Sequence, residues 1–256
     1  MTTATFTFHG YLQQLLKREL RAVSPLLHHF DRRASIKDVI ESLGIPHPVI
    51  GTLTVNKLEV GFDYILLDHD MIEATSLTPP VDPFIPTILR PRALDKIAFI
   101  VDVNAGRLAL FLRMLGFDTV YGNDIKNGRL AEIAQSDNRI LLTRDTTLLK
   151  RKIIMHGYLL REQNPSRQLV DVVRLYDLDS RIRPLSRCIP CNGLLVPVSK
   201  KVIMDRLEPL TRKHYHSFHI CKDCKRIYWP GSHHGKILAF IDGILESVRQ
   251  DYFVEG

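Results

Sequence analysis

Hydrophobic and polar positions change rhythm twice along this chain of 256 residues. Thr5-Phe6-Thr7-Phe8 alternates with a period of two, which predicts a strand. Ser35-Ile36-Lys37-Asp38 has the spacing of a capping box, and Ile36, Val39, Ile40 and Leu43 form one stripe of the helix it opens. Gly44 and Pro46 end that helix. Two β-prone runs follow, Val49 to Val55 and Tyr64 to Leu67, with a polar turn at Asp68-His69-Asp70. One helix among several short strands is a β-grasp pattern. His47, set between two prolines, reads as a loop histidine and not as a base or a ligand.

The second rhythm begins beyond five prolines, Pro79, Pro80, Pro83, Pro86 and Pro91, a stretch that can neither continue a helix nor pair in a central strand. Ile97 to Val103 is an apolar run broken by Asp102, as a buried parallel strand would be. Leu108, Phe111, Leu112 and Leu115 stripe a helix that Gly116 ends, and Thr119-Val120-Tyr121 is a second strand. Leu130, Ile133 and Ala134 mark another helix, Ile140 to Thr143 a third strand, and Leu148 and Leu149 a short helix. A fourth strand lies within Ile153 to Leu160, and Leu169, Val172, Val173 and Tyr176 stripe a further helix. Such alternation predicts a parallel sheet flanked by helices.

Past that point the pattern changes again. All four cysteines sit in two tight pairs, Cys188-Ile-Pro-Cys191 and Cys221-Lys-Asp-Cys224, with 29 residues between them. Two Cys-x-x-Cys turns can offer four thiolates to one tetrahedral zinc; two disulfides or four unrelated buried thiols are the competing readings. With four sulfur ligands no coordination position stays open, so this zinc holds a fold together and the chemistry lies elsewhere. A last amphipathic helix, with Ile237, Ile241, Ile244, Leu245 and Val248 at helical spacing, is expected to pack back onto the sheet domain. The expected organisation is 1–78, a β-grasp unit; 79–95, a linker; 96–182, the parallel-sheet domain; 183–235, a zinc ribbon; and 236–256, the closing helix.

Charge sharpens this division. Residues 1–89 hold 7 Lys and Arg against 10 Asp and Glu, whereas 90–256 hold 28 against 18. A basic second part fits a polyanionic partner, most simply nucleic acid, although basic faces also occur without one. No apolar run approaches a membrane span, and the start lacks a basic region followed by an apolar stretch. A reducing, cytoplasmic setting is therefore expected, which favours zinc thiolates over disulfides.

The carboxylates carry the functional clue. Asp102 closes the first strand of the sheet domain, Asp124 follows the second and Asp145 follows the third. In a parallel sheet the strand C-termini share one edge, where ligands bind. Like charges so placed call for a cation, and hard carboxylate oxygens suit Mg²⁺ or Mn²⁺. Each of these residues also reads singly as a turn or cap. A carboxylate-bound cation in a basic domain points to phosphodiester hydrolysis through a metal-activated water.

Five ordered blocks then resemble a known family: Ile100-Val-Asp-Val-Asn-Ala-Gly-Arg-Leu-Ala109, Leu115-Gly-Phe-Asp-Thr119, Leu141-Leu-Thr-Arg-Asp145, Arg187-Cys-Ile-Pro-Cys-Asn-Gly193 and Tyr228-Trp-Pro-Gly-Ser-His-His234. Together they look like the Mut-seven C-terminal RNase domain, a PIN-like nuclease fold with an appended zinc ribbon. Residues 1–78, with Gly44-Ile-Pro-His47 and Val55-Asn56, resemble the ubiquitin-like domain often fused in front, itself similar to sulfur carriers but here without a Gly-Gly terminus.

The resemblance implies a metal-dependent ribonuclease whose acids include Asp102 and Asp145; with Asp124, from the strand-end reading, these are the candidate catalytic acids on Mg²⁺ or Mn²⁺. Thr143 is then a candidate to position the metal-bound water, and Arg107, Arg144, Trp229 and His233 are candidate RNA contacts. Trp229 also reads as a cover for the zinc knuckle, and His233 as a structural histidine. One departure stands out. The family's acids at the start of the helix after the second strand are replaced here by Lys126-Asn127-Gly128-Arg129. A degenerate, non-catalytic RNA-binding or adaptor protein is therefore the alternative. The ubiquitin-like part is a candidate site for a protein partner.

Overall fold

The computed structural model describes residues 2–254, apart from the side chains of His233 and of 251–254. In chain order the elements are β1 (Thr2–Phe8), α1 (Leu12–Leu15), β2 (Leu26–Phe30), α2 (Ile36–Leu43), β3 (Ile50–Val55), β4 (Leu58–Glu59) and β5 (Asp70–Ser76). These are followed by β6 (Ala98–Val101), α3 (Gly106–Met114), β7 (Asp118–Val120), α4 (Asn127–Ser136), β8 (Ile140–Thr143), α5 (Thr146–Leu149), β9 (Gly157–Leu159) and α6 (Pro165–Leu175). The last part holds β10 (Leu195–Val198), α7 (Lys200–Ile203), α8 (Pro209–His214), β11 (Phe218–Cys221), β12 (Ile227–Tyr228) and α9 (Ser232–Val254).

The N-terminal sheet has the order β2-β1-β5-β3-β4, with β1 parallel to β5 and the other neighbours antiparallel. This is the β-grasp arrangement. Helix α2 opens as its sequence requires, with the Ser35 hydroxyl accepting from the Asp38 N–H at 3.1 Å, and buries Ile36, Val39, Ile40 and Leu43. The strand expected over Tyr64–Leu67 is absent; Ile65 makes only an isolated bridge to Ser35. The strand lies just past the polar turn instead, as β5. Its first residue, Asp70, is buried and accepts from Asn56 Nδ2 (2.9 Å), the Tyr64 hydroxyl (3.1 Å) and the Leu67 N–H (2.8 Å). A carboxylate so saturated with donors pins a turn and has no chemistry left to do.

A four-stranded parallel sheet, in the order β7-β6-β8-β9, and a three-stranded ribbon, β10-β11-β12, complete the fold. The chain divides into two compact units, each discontinuous in sequence. One comprises the residues up to Lys96 together with Ile125–Leu160; the other comprises Ile97–Asp124 and the residues from Arg161 onward.

Within the first unit the β-grasp part is bound tightly to the later segment. His47 is buried (5% exposed), with Nδ1 2.6 Å from Glu41 Oε1 and Nε2 2.7 Å from the Ile154 carbonyl. It is thus a cross-link between two distant segments, which its sequence setting did not reveal. Lys150 Nζ donates to the Glu41 carbonyl at 2.7 Å. The proline-rich stretch has no regular secondary structure, yet Arg90 on it is buried and donates to the Pro48 and Ile50 carbonyls, both at 2.7 Å. In the second unit α3, α6 and α9 pack on one another, with the Phe111 and Phe240 rings 4.7 Å apart.

Candidate functional site

Each cysteine pair is shaped by the same backbone turn. The residue after the second cysteine takes a left-handed conformation, Asn192 at φ +71° and Lys225 at φ +60°. Its N–H then folds back onto the carbonyl of the first cysteine, Asn192 to Cys188 at 2.8 Å and Lys225 to Cys221 at 3.2 Å. The two turns face each other. Cys188 Sγ lies 3.5 Å from Cys224 Sγ, Cys191 Sγ lies 3.4 Å from Cys221 Sγ, and all four sulfurs fall within 4.8 Å of one another.

These separations favour the zinc reading of the cysteines over disulfides or unrelated thiols. A disulfide requires about 2.05 Å, and all four residues are free thiols. Four ligands at about 2.3 Å from a zinc ion sit roughly 3.8 Å apart, close to what is seen. Gly193 is required beside the cluster, because a Cβ there would come within 2.7 Å of Cys221 Sγ and 2.4 Å of an Asp223 carboxylate oxygen. The Tyr228 hydroxyl lies 3.0 Å from Cys188 Sγ. Burial pushes the Cys188 thiol up to about 12, so without a cation it would be a neutral thiol and a poor nucleophile. The donor set fits a closed structural zinc. No second group of three or more His, Cys, Asp or Glu side chains lies so close among the described residues.

The first knuckle is fastened to strand β7. Asn192 Oδ1 accepts the Thr119 N–H at 3.0 Å while its Nδ2 donates to Asp118 Oδ1 at 2.8 Å. Arg113, on α3 and only 3% exposed, donates to the carbonyls of Thr119 (2.9 Å), Ile189 (3.0 Å) and Pro190 (2.7 Å). Arg187 adds a bond to the Asn192 carbonyl at 2.8 Å and an ion pair with Asp118 at 3.5 Å. Sheet edges present backbone groups that need partners, and here the zinc knuckle supplies them for β7. Burial holds the Arg113 guanidinium below its ordinary pKa, an effect opposed by the nearby cysteines and Asp118.

The three candidate acids sit after β6, β7 and β8. Asp102 is 2% exposed and caps the short turn that follows it, accepting the Asn104 N–H at 2.8 Å. Asp145 caps α5, with Oδ1 accepting from Thr147 (2.8 Å) and Leu148 (3.2 Å). The Thr143 hydroxyl is fully buried and accepts the Asp145 N–H at 2.9 Å. Asp124 is exposed four residues beyond β7. Arg107 and Arg144 are exposed as well, and Trp229 is 38% exposed. The side chain of His233 lies outside the described residues.

The departure at the start of α4 acquires a specific meaning. No acid stands in its first turn, and Asn127 Nδ2 donates to Asp145 Oδ2 at 2.9 Å. An amide thus contacts the very carboxylate that an acid at this position would repel. Neither this bond nor the Arg113, Asp118 and Asn192 network was foreseen from the sequence. Asn192 immediately follows a cysteine pair, which was the one local signal available.

A parallel α/β sheet is thus followed by a three-stranded ribbon with four clustered cysteines, and acids follow three of the sheet's strands. Residues 97–241 match the model of the Mut7-C RNAse domain, and residues 1–82 match that of the Mut7-C ubiquitin domain. The chain belongs to the Mut7-C RNAse domain family, which points to a nuclease-like role with RNA as the ligand. Neither a comparison with curated proteins nor one with solved structures finds a match. Among the described residues no helix is long and apolar enough to cross a membrane.

Proposed function

We propose that the protein is a metal-dependent ribonuclease in which Asp102, Asp124 and Asp145 hold Mg²⁺ or Mn²⁺. The observation that carries this reading is the family match over 97–241, within which Asp102 and Asp145 end parallel strands of one sheet. Strand C-termini of a parallel sheet share an edge, which supports reading the acids after β6, β7 and β8 as ligands of one ion. The ion when bound would ionise a water and stabilise charge on the leaving oxygen.

The chain's own residues do the rest. Asp102 and Asp145 are oriented by the backbone N–H groups they cap, and Thr143 fixes the backbone of Asp145. Arg107 and Arg144, both exposed, are the proposed phosphate contacts. In this reading residues 96–182 carry the chemistry, 183–235 guide RNA, and 1–78 offer a surface to a protein partner. Zinc thiolates favour a reducing, cytoplasmic setting.

A second reading, an RNA-binding protein with a degenerate site, rests on Asn127. Its amide supplies a donor to Asp145 where the family's pattern has an acid. Cleavage of end-labelled RNA with Mn²⁺, with Mg²⁺ and with EDTA separates the two, with the Asp102→Asn protein alongside. Metal-dependent cutting that the variant loses establishes the enzyme. Retention of RNA on a gel without cutting by either protein establishes the binding protein.

A further inference from the structure

We infer that Trp229 is a wedge that holds two unpaired nucleobases of single-stranded RNA, one in each of two cavities that it lines. The inference builds on RNA as the ligand, but it does not depend on cleavage. One cavity, of about 380 Å³, is lined by Leu185, Leu195 and His219; the other, of about 320 Å³, by Thr211, Tyr215 and Ile227. Tyr228, Trp229 and His234 line both. Each space combines apolar surface for a base's faces with imidazole, hydroxyl or phenol groups for its edges.

The indole is set in place by the turn that carries it. The Gly231 N–H donates to the Trp229 carbonyl at 2.8 Å, and the His234 N–H donates to the Gly231 carbonyl at 3.0 Å. A Cβ on Gly231 would fall 2.9 Å from the indole Nε1, so the ring rests on the glycine where any side chain would displace it. An aromatic ring that is half-exposed and fixed in this way is a ready stacking platform.

The surroundings supply the other half of single-strand recognition. Residues 199–226 carry eight Lys and Arg against three Asp and Glu, with three histidines besides. Lys222, Lys225 and Arg226, next to the strand that leads into Trp229, are exposed. Phosphates follow such a basic strip while bases stack on the aromatic ring. Bases inside a duplex are stacked and paired, and they cannot enter cavities of this kind.

Trp229 is the chain's single tryptophan, so its fluorescence reports this site alone. The full-length Asp102→Asn protein would be titrated with a short oligouridylate, with a blunt RNA duplex and with inorganic polyphosphate. Saturable quenching by the single strand is expected, with no quenching by duplex or polyphosphate. In parallel gel-retention titrations, Trp229→Ala should weaken single-strand binding roughly tenfold and leave polyphosphate binding unchanged. Trp229→Phe should retain most of the affinity, and zinc content checks that both variants are folded. Quenching by polyphosphate equal to that by RNA, or undiminished binding by folded Trp229→Ala, would overturn the proposal. Absence of cleavage by the native protein would count against the nuclease and leave this result untouched.

Discussion

The cysteine centre and the acidic strand ends are both candidate metal sites, but their side chains are committed to different degrees. The four thiols have one common task. Backbone turns aim them at a shared point, and their sulfurs are already at ligand separation. As ion ligands Asp102 and Asp145 would have two tasks, because each already caps a turn or helix with oxygen that an ion would also use. A fold can therefore keep these aspartates for local structure after catalysis has been lost. It has no comparable reason to keep four converging thiols without an ion. Membership of the nuclease family consequently says more about the ribbon than about turnover.

The largest effect expected from breaking this contrast is at the ribbon. Cys221→Ser should abolish zinc binding, which carries on the order of 10 kcal/mol in structural sites, and melt the β10-β11-β12 sheet. Metal analysis and thermal unfolding would report it; a variant that kept full zinc and its melting temperature would remove the case for a four-thiolate centre.

Asp102→Asn should act in the opposite manner. Asparagine caps nearly as well as aspartate, so stability should change by less than about 1 kcal/mol. Cleavage should fall on the order of 100-fold or more with the loss of charge at the ion. A large drop in melting temperature would instead assign Asp102 mainly to structure.

A third test asks whether the zinc knuckle and β7 behave as one unit. Arg113→Met keeps the apolar stem of the side chain but removes the donor from the carbonyls of Thr119, Ile189 and Pro190, and should cost about 3 kcal/mol. Hydrogen exchange is expected to rise at Val120 and at Cys188 to Gly193 together. Exchange confined to the knuckle would show that the sheet edge does not rely on it.

The smallest change sharpens the question of turnover. Asn127→Asp replaces the donor to Asp145 Oδ2 with a like charge, which disfavours the metal-free site and favours cation binding. We expect roughly tenfold tighter Mn²⁺ binding, with a parallel gain in cleavage, measured by calorimetry and the same RNA assay. An unchanged affinity would place position 127 outside the ion's reach.

Local features were the legible ones. The cysteine pairs, the capping box at Ser35 and the aspartates at strand ends are each written within a few residues, and the structure has them where the sequence puts them. Strand β2 was missed because Leu26-Leu27-His28-His29-Phe30 does not alternate: Leu27 is exposed while its neighbour Leu26 is buried. The strand assigned to Tyr64–Leu67 shows a related error. Leu66 covers the core from a loop while Leu67 is exposed, and the turn at Asp68-His69-Asp70 leads into β5 rather than out of a strand.

The network that docks the knuckle was illegible for another reason. Asn192 reaches Asp118 and Thr119 across more than 70 residues of sequence, and no periodicity encodes such a bond. The cross-link made by His47 was hidden for the same reason, since its partner at Ile154 lies 107 residues away.

The discontinuity of the first unit bears on how the protein is made. A chain emerging from the ribosome delivers its N-terminus first, and an ordinary leading domain can close as soon as its last residue is out. Here the acceptor for His47 and the lysine that holds the Glu41 carbonyl are supplied by residues 154 and 150. The strands of the leading sheet all lie within residues 2–76, but these two contacts form only once residues 150 and 154 have been synthesised.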